Sequence, residues 1–200
     1  MSSNTPNIGR ISPVDLRELW MREDTQFTPW LLENIDYLSE ALGLDLEIER
    51  AEHPVGSFSL DLIGTVASSG ERVIVENQLE ATDHSHLGQI LTYAGGTEPG
   101  YIIWVAKKFR EEHRAALDWL NEHTDETTRF FGVEVSAVRI GDSAAAPLFS
   151  VVAQPNDWEK SVRTATAASQ SARGMLYREF WMQLIEKVRE SNPTWTRASM

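Results

Sequence analysis

Apolar residues recur along this chain with two different periods, and the switches between them mark the elements. Residues 28–42 place Trp30, Leu31, Ile35, Leu38 and Leu42 on one helical stripe, with Gly43 as the stop. From Leu44 the period falls to two. Leu44, Leu46 and Ile48 alternate with Asp45, Glu47 and Glu49, the pattern of a half-buried strand. Residues 58–66 and 72–78 predict two more strands, joined through Ser68-Ser69-Gly70-Glu71 as a hairpin. Leu87, Ile90, Leu91 and Ala94 return to helical spacing, which ends at Gly95-Gly96. Residues 101–106 form an unbroken apolar run, as in a strand buried on both faces. Residues 109–123 have the pattern of an amphipathic helix. Strands at 130–140 and 148–152 come next, and a last helix covers 175–190. Near the start, Ser12-Pro13 predicts a short helix with Ser12 as its N-cap. The order α-β-β-β-α-β-α-β-β-α predicts an α/β domain, a mixed central sheet flanked by helices. Residues 1–24 are a tail and short helix, 25–160 the main domain, and 161–200 a linker and C-terminal helix that could open a second domain.

Composition narrows the class. The chain has 200 residues and no cysteine, which excludes disulfides, thiolate zinc sites and cysteine nucleophiles. No apolar run approaches the roughly 20 residues of a membrane-spanning helix, and Met1–Ile8 lacks a secretory apolar segment. A cytoplasmic protein with no membrane partner is the expectation. The net charge is −12, and it is uneven: residues 1–150 hold 11 basic and 25 acidic residues, against 7 and 5 in 151–200. Such acidity argues against a general nucleic-acid coat protein. It leaves open whether some acids are gathered as metal ligands.

Two acids are placed for that. Asp61 sits among Leu60, Leu62 and Ile63, and Glu76 follows Val73-Ile74-Val75. They lie on neighbouring strands of the predicted hairpin and can meet on one sheet face. Together they could hold Mg²⁺ or Mn²⁺, with the Asn77 carbonyl as a further ligand. Gln78 is two residues beyond Glu76, on the same face, and can reach a metal-bound water.

The arrangement Asp61…Glu76-x-Gln78 resembles the core of the PD-(D/E)XK nucleases, the restriction-endonuclease-like superfamily. The next helix carries Gln89-x-x-x-Tyr93, a pattern found after the acid strand in a subset of that family. The stretch 75–89 also resembles one group of uncharacterised bacterial nuclease-like proteins that often carry a further domain, whose opening resembles Tyr177-Arg178-Glu179-Phe180-Trp181. The resemblance implies an α-β-β-β-α-β core and a Mg²⁺- or Mn²⁺-dependent nuclease acting on DNA. Asp61 and Glu76 would bind the metal with Asn77, and Gln78 would orient the attacking water. Gln89, Tyr93 and Glu33, the last at the family's helical-acid position, would complete the site. Cutting both strands would imply a homodimer. Gln78 stands where the family usually has lysine, so the alternative is a catalytically inactive nuclease-like module that binds nucleic acid or a protein partner.

Other features carry two readings each. Asp83-His84-x-His86 could be a zinc site, or Asp83 could cap the following helix with the histidines in its first turn. Lys107-Lys108-x-Arg110 could contact phosphate or simply solvate a helix end. Trp30, Trp119 and Trp181 lie at helical core spacing, which favours packing over base stacking.

Overall fold

A computed structural model describes residues 8–155, apart from Ser57 and Glu126, together with the single position Lys187. The chain divides into two units, Met1–Asn156 and Asp157–Met200, and the first of them holds the sheet. The predicted linker at 164–174 and helix at 175–190 lie outside the described residues, save Lys187, which is helical.

Among the described residues, seven strands build one mixed sheet: β1 Ile11–Val14, β2 Leu46–Val55, β3 Phe58–Val66, β4 Arg72–Ala81, β5 Tyr101–Lys108, β6 Arg129–Ile140 and β7 Ala146–Ala153. Their order is β1-β6-β5-β4-β3-β2, with β7 also paired to β6. The β2-β3-β4 meander is antiparallel, as short turns require. β4, β5 and β6 are parallel, each step crossing through a helix: α4 His84–Thr97, then α5 Glu111–His123. The first three helices are α1 Leu16–Leu19, α2 Thr28–Glu33 and α3 Ile35–Leu42, with a π-helical turn at Glu23–Phe27 ahead of α2. The series α3-β2-β3-β4-α4-β5 has the α-β-β-β-α-β order expected from the sequence, in the α/β class that the element order predicts.

Both sheet faces are covered. Ile74, Ile102, Trp104 and Phe130 form a buried cluster with Ile90 and Tyr93 of α4 and Leu117 of α5. The alternate residues Val73, Val75 and Leu79 are buried too, and α2 lies against that opposite face, since Thr28 Oγ1 donates to Asn77 Oδ1 at 3.2 Å. β5 is buried from Tyr101 to Ala106, as its apolar run predicts. β2 and β3 press together at Gly64, where a Cβ would fall 2.1 Å from the Glu47 carbonyl oxygen.

Three local expectations are corrected. Residues 11–14 form β1, antiparallel to the end of β6, and the cap of the short helix is Asp15, whose carboxylate accepts the Arg17 N–H at 2.9 Å. Pro13 is tolerated because β1 is a short edge strand. The helix over 28–42 is two helices, broken at Asn34, whose side chain donates to the Trp30 carbonyl at 2.8 Å. Trp119 is 57% exposed and stacks on His123 instead of entering the core.

Candidate active site at the split between β3 and β4

The β3–β4 ladder holds through Leu62↔Val75, and the next pair in register is Asp61 with Glu76. There the strands stop exchanging backbone hydrogen bonds. The β4 N–H groups that face β3 are taken by carboxylates. Asp61 Oδ2 accepts the Asn77 N–H at 2.8 Å, and Glu23 Oε2 accepts the Leu79 N–H. Glu23 reaches the split from the π-helical turn, 56 residues earlier.

A third acid flanks the pair on the other side. Ala51↔Leu62 and His53↔Leu60 bracket Glu52 opposite Asp61, so Glu52, Asp61 and Glu76 form a row across three strands. Glu52 has φ +51°, a left-handed backbone uncommon for a non-glycine residue, and its Oε2 accepts the Ser59 Oγ–H at 2.8 Å.

Burial dominates the electrostatics of this row. Glu76 is only 6% exposed, and its Oε2 has no hydrogen-bond partner. Desolvation pushes the pKa of Glu76 well above the carboxylate range. The charge of Asp61 pushes the same way, and hydrogen bonding from the Asp61 backbone opposes them. Desolvation also raises Asp61, opposed by the Asn77 N–H and reinforced by Glu52 and then Glu23. Tyr93 is pushed up to about 12, by desolvation first and then by the charges of Glu76, Asp61 and Glu52. Its hydroxyl donates to the Ser59 carbonyl at 2.9 Å.

The remaining sequence-predicted residues separate. Gln78 is 1% exposed, and its amide is fully engaged. Nε2 donates to Ala81 O at 3.0 Å and to Asp83 Oδ2 at 3.4 Å, while Oε1 accepts the Trp104 indole N–H at 2.9 Å. The Asn77 side chain turns to the opposite face, toward Thr28. Gln89 is half-buried one turn before Tyr93, on the same side of α4, and its side chain makes no hydrogen bond among the described residues. Glu33 is exposed at the end of α2; the acid that enters the split from the helical region is Glu23. Asp83 caps α4 by accepting the His86 N–H at 2.9 Å, as one of its two readings expects. Neither Glu23 nor Glu52 is legible in the sequence. Glu23 lies before the first strongly periodic segment, and Glu52 lies past the last clear alternation of β2.

The donor set suits a hard divalent cation: two carboxylates, one with an orphaned buried oxygen, beside a carbonyl-bearing strand. Among the described residues no three His, Asp or Glu side chains converge as a ready-made cage, so the protein offers an acid pair, not a closed site. No arginine or lysine pairs with Asp61 or Glu76 among the described residues. No helix there is long and apolar enough to cross a membrane.

Fold and site together define a mixed α/β protein with an acid pair, Glu76 buried and Asp61 half-buried, where two central strands part. No family model and no curated protein matches the chain. Among solved structures, a repair endonuclease from Pyrococcus abyssi is similar at 17% identity and TM-score 0.39, over 46% of this chain and 41% of that one. The structure of an EndoMS–dsDNA2 complex is similar at 16% identity and TM-score 0.40, over 54% and 43%. The matched region thus spans about two fifths of each of those chains.

Proposed function

We propose that the protein is a Mg²⁺- or Mn²⁺-dependent nuclease that hydrolyses phosphodiester bonds in DNA. The observation that carries this is the acid pair in the split: Asp61 pinned to the Asn77 N–H, and Glu76 buried with an oxygen that nothing satisfies. Two adjacent carboxylates without a counter-cation are costly to ionise together. A divalent ion removes that cost.

Asp61 and Glu76 would hold the ion, with the Asn77 carbonyl beside them. When bound, Mg²⁺ or Mn²⁺ supplies charge at the scissile phosphate and lowers the pKa of a coordinated water. The chain's own residues do the rest. Glu23 keeps the strands apart by occupying the Leu79 N–H. Glu52 adds negative potential that favours a cation over a bare pair of acids. Tyr93, protonated at all working pH values, braces the start of β3. Gln78 secures the end of β4 through Trp104, Ala81 and Asp83, in place of orienting water. Gln89, whose side chain has no hydrogen-bond partner among the described residues and which lies on the same side of α4 as Tyr93, is the residue available to meet substrate. Glu33 is assigned no contact with the row, and its place as helical acid goes to Glu23.

The full engagement of the Gln78 amide, with no lysine or arginine beside the pair among the described residues, favours a second reading: a nuclease-like module that binds nucleic acid without cutting it. One assay separates them. Purified protein is incubated with plasmid DNA and Mg²⁺ or Mn²⁺. Metal-dependent nicking that disappears in Asp61→Asn and Glu76→Gln is expected. Cleavage surviving in both variants contradicts the assignment, and binding without cleavage supports the second reading.

A further inference from the structure

The C-terminal ends of β4 and β5 carry a hydrogen-bonded chain that the acid pair does not use. Thr82, fully buried, follows β4. Its Oγ1 accepts the Arg110 N–H at 3.0 Å and lies 2.8 Å from His113 Nδ1. His113 Nε2 in turn lies 2.9 Å from His84 Nδ1, the two rings meeting edge to face. His113 is buried and His84 is exposed.

The direction of this chain comes from counting protons. A threonine hydroxyl has one proton and two lone pairs. Arg110 fills one lone pair. Were His113 to donate into the other, the buried hydroxyl proton would face no acceptor among the described residues, an expensive arrangement. Thr82 therefore donates to His113 Nδ1. Neutral His113 carries its proton on Nε2 and donates to His84 Nδ1, so neutral His84 carries its own proton on Nε2. Desolvation and then the neighbouring His84 lower the pKa of His113, which keeps it neutral. The result is an exposed N–H donor of fixed tautomer.

Its surroundings suit an anionic oxygen. Arg110 is exposed, makes no ion pair among the described residues, and stands close enough to act on His113. Of the two carboxylates that act on His113, Glu112 is solvent-exposed and Asp83 is engaged by the His86 N–H, by His86 Nδ1 at 2.8 Å and by Gln78. The chain also lies on the face of the acid pair. Trp104, in register with Glu76, donates to Gln78 and packs on the His113 ring with centroids 5.5 Å apart.

We propose that His84, oriented by His113 and Thr82, donates its Nε2–H to a phosphate oxygen of the DNA strand held at the acid pair, with Arg110 supplying the charge. His84 is then a substrate-contacting residue, and Thr82 and His113 are positioning residues. The ligand rests on the nuclease assignment; the tautomer does not.

The test has two arms on the full chain. Nitrogen-15 spectra of the histidine rings should show His84 and His113 both protonated at Nε2. Thr82→Val should shift His84 away from that tautomer, and Thr82→Ser should restore it. Binding of a fluorescein-labelled DNA duplex, measured in the Glu76→Gln background, should weaken about tenfold in His84→Ala and in Thr82→Val, but not in Thr82→Ser. His84 protonated at Nδ1 overturns the donor assignment. His84→Ala binding as tightly as its parent overturns the phosphate contact. Protein that neither binds nor cuts DNA overturns the ligand and the nuclease assignment together. Loss of cutting in Asp61→Asn alongside unaltered binding by His84→Ala overturns this inference alone.

Discussion

Glu76 is the residue on which the proposed chemistry turns. Desolvation raises the pKa of Glu76, and desolvation of Asp61 raises that of Asp61, above the values both have in the unfolded chain. For an acid shifted upward, the folded state holds the proton over a pH range in which the unfolded state has lost it. Stability from this source is full below the ordinary carboxylate range and declines as pH rises toward the folded values. The metal-free wild type should thus lose thermal stability from pH 5 to pH 8, and Glu76→Gln should lose less. A wild-type Tm that climbs with pH over that range, relative to Glu76→Gln, would show that the pair is not a buried, uncompensated one. Gln78 makes a separate prediction. Gln78→Ala strands the Trp104 indole N–H in the core, which costs about 1–3 kcal/mol. Urea unfolding of that variant measures it. At this scale the sequence is informative about Asp61 and Glu76, because acids amid apolar strand residues stand out. It does not show that the Gln78 amide is consumed by an indole 26 positions away.

The elements are legible where periodicity is strong and obscure where it is weak. β3, β4, β5, α4 and α5 lie close to their expected positions, because each has a full apolar face. β1 is hidden, since four mostly exposed residues containing a proline resemble a helix start. Its partner is the second half of β6, more than 120 residues away, and no local pattern encodes that. The break at Asn34 is hidden for a related reason: Trp30, Leu31, Ile35 and Leu38 keep their apolar character across it. Glu23 is concealed as well, since it sits on the π-helical turn ahead of the stripe. The tight approach of β2 to β3 yields a test here. Gly64→Ala puts a methyl into the Glu47 backbone and should destabilise the protein by about 1–3 kcal/mol. A variant as stable as the wild type in urea would show that the two strands can separate at no cost.

For the molecule as a whole, the charge of −12 by itself speaks against DNA. The structure places four of the acids, Glu23, Glu52, Asp61 and Glu76, at one split in the sheet. In the proposed nuclease, a bound divalent ion would neutralise the Asp61–Glu76 pair where a phosphate would sit. The other acids still repel a polyanion, so affinity for DNA should depend on metal more than on general surface charge. Mass action gives the corollary that millimolar Mn²⁺ raises the Tm of the wild type and leaves that of Asp61→Asn/Glu76→Gln nearly unchanged. Anomalous diffraction from crystals soaked in Mn²⁺ shows whether Asp61 and Glu76 hold a cation. The expected result is a peak about 2.0–2.6 Å from carboxylate oxygens of both Asp61 and Glu76. Strong Mn²⁺ peaks elsewhere, with none between these two side chains, would contradict a cation site there.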